Sequence, residues 1–123
     1  MPCHDSIRAP ARVLATAIAA VLLTAPGPAA ATDSLVECIE GAEFIANAAA
    51  SRDNGMSREA YLDRLEQGFV AIRAFPVAPR WFVEDADDER FLRSSVESVY
   101  DRPTTPDGHH AAFFAACVSR GAA

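Results

Sequence analysis

An all-α domain, folded as an up-down-up-down four-helix bundle and closed by one disulfide, is predicted by three observations. Apolar residues recur at spacings of three and four from Leu35 to Val118, which is the helical period. Four such stretches are separated by short connections bearing Gly or Pro. Two cysteines, Cys38 and Cys117, fall near the start of the first stretch and the end of the last. In an up-down-up-down chain those two places are neighbours, so connection lengths and cysteine positions point independently to one topology and to a Cys38–Cys117 bond.

A leader precedes this domain. Arg8 and Arg12 come before an uncharged run from Val13 to Ala25, and Pro26-Gly27-Pro28-Ala29-Ala30-Ala31 follows. A basic lead, an apolar core of about 13 residues and a small-x-small site are the parts of a secretory signal peptide, and that core is too short to persist as a membrane span. Cleavage is expected after Ala31, giving a leader over 1–31, which carries Cys3 away, and a single four-helix domain over 32–123. The expected location is periplasmic or secreted, without stable membrane insertion, in an oxidising compartment where a cysteine pair bonds.

The first helix is expected to start at Ser34, since Ser34-Leu35-Val36-Glu37 has the form of a capping box. Its apolar face reads Leu35, Cys38, Ile39, Ala42, Ile45, Ala46 and Ala49, with Ala42, Ala46 and Ala49 as a close-packing seam. Arg52-Asp53-Asn54-Gly55 should end it, with Gly55 in the left-handed conformation. Ser57 then caps a second helix whose face is Tyr61, Leu65, Gly68, Ile72 and Phe75, with Met56 as a staple on Tyr61. Gly68, on the buried side at a cost of about 1 kcal/mol relative to alanine, predicts a neighbour pressed against the backbone. Pro76 and Pro79 stop the helix.

The linker from Phe75 to Val83 is more apolar than most loops. The third helix opens on Glu84-Asp85-Ala86-Asp87-Asp88-Glu89, carboxylates that suit a helix N-terminus, with Asp85 or Asp87 as cap. It carries Leu92, Val96 and Val99 inward, pairs Glu89 with Arg93 at i, i+4, and should end by Asp101 because Arg102 precedes Pro103. Thr105 as cap and Pro106 in the first position open the fourth helix. There His109, Phe113 and Cys117 form one stripe and His110, Phe114 and Val118 the next, and only one of them can face the interior.

Composition limits the function. The net charge is −6 with eleven basic residues, all arginine, and loss of Asp5, Arg8 and Arg12 with the leader takes it to −7. So acidic a chain, without a basic stripe, excludes nucleic acid as a partner. A domain of this size buries only about 60 to 65% of its unfolded surface, so the disulfide should matter to its stability.

No motif assigns chemistry. Asp85, Asp87 and Glu89 alternate as in an EF-hand loop, but Arg90 stands where glycine is needed and Val96 where the bidentate glutamate belongs; the run reads as a solvated helix start. His109 and His110 diverge by about 100° on a helix and cannot share an ion easily, so no metal and no cofactor are expected, although both imidazoles are candidates for a response to mild acid. There is no G-x-S-x-G, no phosphate loop and no free cysteine once the disulfide forms, and no catalytic residue is assigned. A contact surface is the remaining candidate: Arg80, Trp81 and Phe82, with Phe114 as an outlier, because aromatics and arginine are enriched at interface centres. A Trp81-Phe82 pair is more often a lid over the core than a binding patch.

With Cys38, Arg52-Asp53-Asn54-Gly55-Met56-Ser57, Val99-Tyr100, Pro103 and Cys117 in view, the chain resembles a diffuse class of small exported proteobacterial helical proteins of unknown function, with one cysteine near each end. In outline it is similar to the acid-stress periplasmic chaperones of the HdeA type and to the periplasmic immunity proteins that block type VI secretion effectors. The resemblance carries no site residue over. It implies a non-catalytic module with one protein partner in the cell envelope, such as an inhibitor or immunity protein. The alternatives are an acid-responsive chaperone or stress protein and, third, a small enzyme or metal-binding protein.

Overall fold

The computed structural model describes residues 28–77, 81 and 83–121, with residues 28–33 described by their backbone alone. It contains α1 (Pro28–Asp53), α2 (Arg58–Arg73), α3 (Ala86–Asp101) and α4 (Pro106–Gly121), and no strand among the described residues. The most extensive packing is between α1 and α4, followed by α1 with α3 and α2 with α3. Cys38 and Cys117 are bonded, with Cα atoms 5.6 Å apart, so the four-helix architecture and its covalent closure stand as the sequence predicts.

Local chemistry sets the helix ends. At the close of α1, Met56 N–H donates to Ser51 O and Gly55 N–H to Arg52 O, with Gly55 at φ +95°, the paired bonds of a glycine-terminated helix. Ser57 Oγ accepts from Ala60 N–H at the start of α2. Asp85 Oδ1 accepts from both Asp87 and Asp88 N–H at the start of α3, and Thr105 Oγ1 from Gly108 N–H at the start of α4. Each cap satisfies N–H groups that have no carbonyl one turn earlier.

Three expectations about faces and ends are corrected. Helix α1 is already formed ahead of Ser34, from Pro28, the first described residue, so Ser34 lies inside the helix and does not cap it. The expected cleavage point after Ala31 therefore lies in its first turns, while residues 1–27 lie outside the described residues. The buried arc of α1 is Cys38, Ala42, Ile45, Ala48 and Ala49, whereas Leu35 and Ile39 are 45% and 44% exposed. Registered on α4 by the disulfide, α1 is turned away from Leu35 and Ile39 and toward Ala48 and Arg52. Phe75 does not extend the face of α2. The helix stops at Arg73, Ala74 and Phe75 N–H turn back onto Ala71 and Ile72 carbonyls, and Phe75 is exposed.

The rest of the core is the predicted one on α3, while on α2 it shifts toward Phe69, with Gly68 and Ile72 half-buried. Leu92, Val96 and Val99 of α3 and Tyr61, Leu65 and Phe69 of α2 are buried, and Val83 of the linker joins them. On α4 the inward stripe is His109, Phe113 and Cys117; Phe114 is half-buried against the core and Val118 exposed. The expected Glu89–Arg93 pair does not form. Glu89, nearly buried, takes a two-pronged bond from Arg73 at 2.7 and 2.5 Å, while Arg93 turns to Glu66 and lies over the Phe69 ring. Both arginines pair across helices, and the two bonds join α2 to α3.

Candidate functional site

Two constellations stand out, one holding the bundle together and one left open. The first is built on Arg52, at the end of α1. Counting back by seven from Arg52 gives Ile45 and Cys38, so its side chain leaves α1 on the buried stripe. It is 15% exposed. Its Nη1 donates to Val99 O at 2.6 Å and approaches His109 Nε2 at 3.3 Å, and its Nη2 donates to Thr104 O at 2.7 Å and Asp53 Oδ1 at 2.8 Å. Val99 O would ordinarily receive an N–H from four residues on. That residue is Pro103, which has none, and the guanidinium supplies the missing donor.

His109 completes this constellation. Its Nε2 accepts from Thr104 N–H at 3.0 Å, a group that can only donate, so Nε2 bears the lone pair and the proton of the neutral ring sits on Nδ1. Burial lowers the His109 pKa, Arg52 beside it lowers it further, and Asp53 partly opposes both. The imidazole is thus held neutral. His110, one position along, is half-buried on the adjacent stripe and does not share these partners.

A pH dependence follows with a definite sign. The unfolded ring titrates near 6.5 and the folded one lower, so its contribution is complete above pH 6.5 and is lost as pH falls from there through the folded value. The urea midpoint is expected to decline over that window. In His109→Gln, whose amide oxygen can still accept, the decline should flatten; an unchanged profile would show that another group causes it.

The second constellation is a groove between α1 and α2. Although consecutive, these helices do not pack along their lengths. Between them lies a cavity of about 630 Å³, within the range of small-molecule and side-chain pockets. Residues 40, 43, 44, 47 and 51 line it from α1, and 61, 64, 65, 68, 69 and 72 from α2, one face of each helix. Phe44 is its aromatic hub, edge-on to Tyr61 with centroids 6.3 Å apart and tilted against Trp81 at 5.6 Å. Trp81 is half-buried at one end, where its Nε1–H donates to Glu40 Oε2 at 3.0 Å.

Gly68 sits in the groove wall, and this corrects the expectation of a close neighbour. A Cβ built there meets nothing within 4 Å. The glycine therefore forgoes helix propensity without admitting another helix, and its effect is to keep the groove wide.

The predicted contact surface is only partly visible. Arg80 and Phe82 lie outside the described residues. Trp81 belongs to the lip of the groove rather than to an outward patch, and Phe114 is half-buried on α4. The acidic run is engaged in structure: Asp85 caps, Asp88 pairs with Arg120 at 2.9 Å, Asp87 pairs with Arg90, and Glu89 takes Arg73. Among the described residues no three His, Cys, Asp or Glu side chains gather as a metal set, and no helix is long and apolar enough to cross a membrane.

Sequence reasoning missed the role of Arg52 and the groove. Arg52 carried a usable signal, a charged residue seven beyond Ile45 on a buried stripe. The groove carried a weaker one, a glycine amid Leu65, Phe69 and Ile72. Comparisons with protein-family models, curated proteins and solved structures found no match.

Proposed function

We propose that this chain is an exported binding protein of the cell envelope that acts by protein contact rather than catalysis, as an inhibitor or immunity protein does, and that its partner docks in the α1–α2 groove. The observation that carries this reading is the groove itself. It is an aromatic-lined depression on a bundle whose α1 is packed on and covalently joined to α4 and whose α2 is packed on α3, kept wide by a glycine that no neighbour requires. Pockets with apolar walls and a few polar groups are the usual places of recognition. The leader with Arg8, Arg12 and the Val13–Ala25 run, together with a buried disulfide, supports export.

The test is a pull-down from the native envelope at neutral pH, run in parallel with wild type and Gly68→Leu. The leucine points into open space and improves helix propensity, so the variant should fold with equal or higher thermal stability. A stoichiometric partner retained by wild type and lost by Gly68→Leu is the expected result. A partner that both retain equally would place recognition elsewhere on the surface.

A second reading, an acid-responsive chaperone or stress protein, draws on the buried neutral His109 against Arg52. It expects apolar dye binding to rise sharply between pH 7 and 5. A flat dye response over that range would remove it.

A further inference from the structure

Resting on the groove reading above, we infer that the groove's occupant is a basic amphipathic helix of the partner protein, which lays an arginine or lysine stem across Trp81 and Phe44 with its charge against Glu40 and Glu43. The acidic end of the groove carries the argument. Glu40 and Glu43 both line it, on successive turns of α1, directly beside the tilted Phe44–Trp81 pair. Aromatic faces attract cations, and more strongly once water is displaced; carboxylates at the same spot add charge to that preference. Glu40 is already oriented by its bond from Trp81 Nε1–H, and Glu43 is exposed on the rim.

The groove's shape suits a helix. Its lining runs from Glu40 to Ser51 on α1 and from Tyr61 to Ile72 on α2, about 16 Å at 1.5 Å per residue. That length accepts three turns of a docked helix with anchors at i, i+3 or i+4, and i+7. The Leu65, Phe69 and Leu92 side chains supply the apolar floor for those anchors. Arg64 lines the groove on α2, beyond the Glu40–Glu43 end, so the lining is polarised along its length and a bound helix has a preferred direction. A second copy of this chain is a poor occupant, because a net charge of −6 repels its own kind.

The experiment uses the single tryptophan, Trp81, as reporter. Two synthetic helical peptides of about 14 residues share one leucine face and differ only in their flanks, arginine in one and glutamate in the other; each is titrated against the disulfide-bonded protein while Trp81 emission is followed. The expected result is that the arginine peptide binds at least ten-fold more tightly. Glu40→Gln/Glu43→Gln should erase that preference, and Glu59→Gln/Asp107→Asn, which removes the same charge away from the groove, should leave most of it. Equal loss in both double variants would reduce the preference to net charge and overturn the inference, as would equal binding of the two peptides. A mass that doubles with concentration in wild type and not in Gly68→Leu would also overturn it, by making a second copy the occupant. If the envelope partner is captured through the groove yet the glutamate peptide binds as well as the arginine one, the groove reading survives and only its cationic specificity falls.

Discussion

Replacing both Cys38 and Cys117 by alanine is expected to lower the free energy of unfolding by about 4.5 kcal/mol, the chain-entropy value for a closed loop of this length. The bond spans a sequence separation of 79 and joins the first half of α1 to the last turns of α4, so it cross-links most of the described domain. Small domains have about 5 to 15 kcal/mol in all, and the double variant should be partly unfolded at physiological temperature. Both sulfurs are buried, which makes alanine a better probe than serine, whose hydroxyl would have to be buried without a partner. Urea unfolding with and without reductant checks this. Wild type should drop to the variant's midpoint when reduced, and the variant should not respond. A loss below about 1 kcal/mol would mean that the unfolded chain gains little freedom when the bond is cut.

Arg52→Met is the second large effect, at about 3 kcal/mol. Methionine keeps the apolar stem and removes the donors, leaving Val99 O and Thr104 O without the guanidinium and His109 with a single donor to Nε2. Val99 O, the part-buried carbonyl, costs about 1 to 3 kcal/mol when stripped of its charged partner, whereas the exposed Thr104 O can turn to water. Arg52→Lys should recover less than half of the loss, because one ammonium cannot reach carbonyls on α3 and on the α3–α4 connection in the fork geometry that arginine provides. A cycle of Arg52→Met with His109→Gln, measured by chemical denaturation, should be strongly non-additive. Additive losses would show that the two side chains are neighbours without being coupled.

Together these effects describe how the α1–α4 pair is held. At one end is the covalent bond, and beside it Arg120 ties α4 to α3, pairing with Asp88 and lying 4.2 Å over the Phe91 ring while Phe91 packs on Phe113. At the other is the Arg52 constellation. Among the described residues no buried side-chain nitrogen or oxygen lacks a partner, so these polar anchors are fully satisfied. Between them α3 completes the core, and α2, secured to α3 by Arg73–Glu89 and Arg93–Glu66, stands off from α1. The groove is a consequence of that arrangement, since α2 takes its packing from α3.

The sequence alone determined what depends on neighbours along the chain. Caps at Ser57 and Thr105, an aspartate cap at Asp85 or Asp87, the glycine stop at Gly55 and the inward stripe of α3 follow from local hydrogen bonding and from the period of the helix, whereas the choice between the two stripes of α4 did not. The disulfide was legible because residues 32–123 hold just two cysteines and an up-down-up-down chain makes their places neighbours. What the tertiary structure decided is how each helix is rotated about its own axis and which distant charges meet. The alanine-rich α1 offers several nearly equivalent narrow faces, and the choice of Cys38, Ile45 and Arg52 over Leu35 and Ile39 came from its register on α4. Glu89 was equally able to reach Arg93 or Arg73; cross-helix geometry selected Arg73. The space beside Gly68 had no local signature either, because an absent side chain reads the same whether a helix presses against it or a groove opens there.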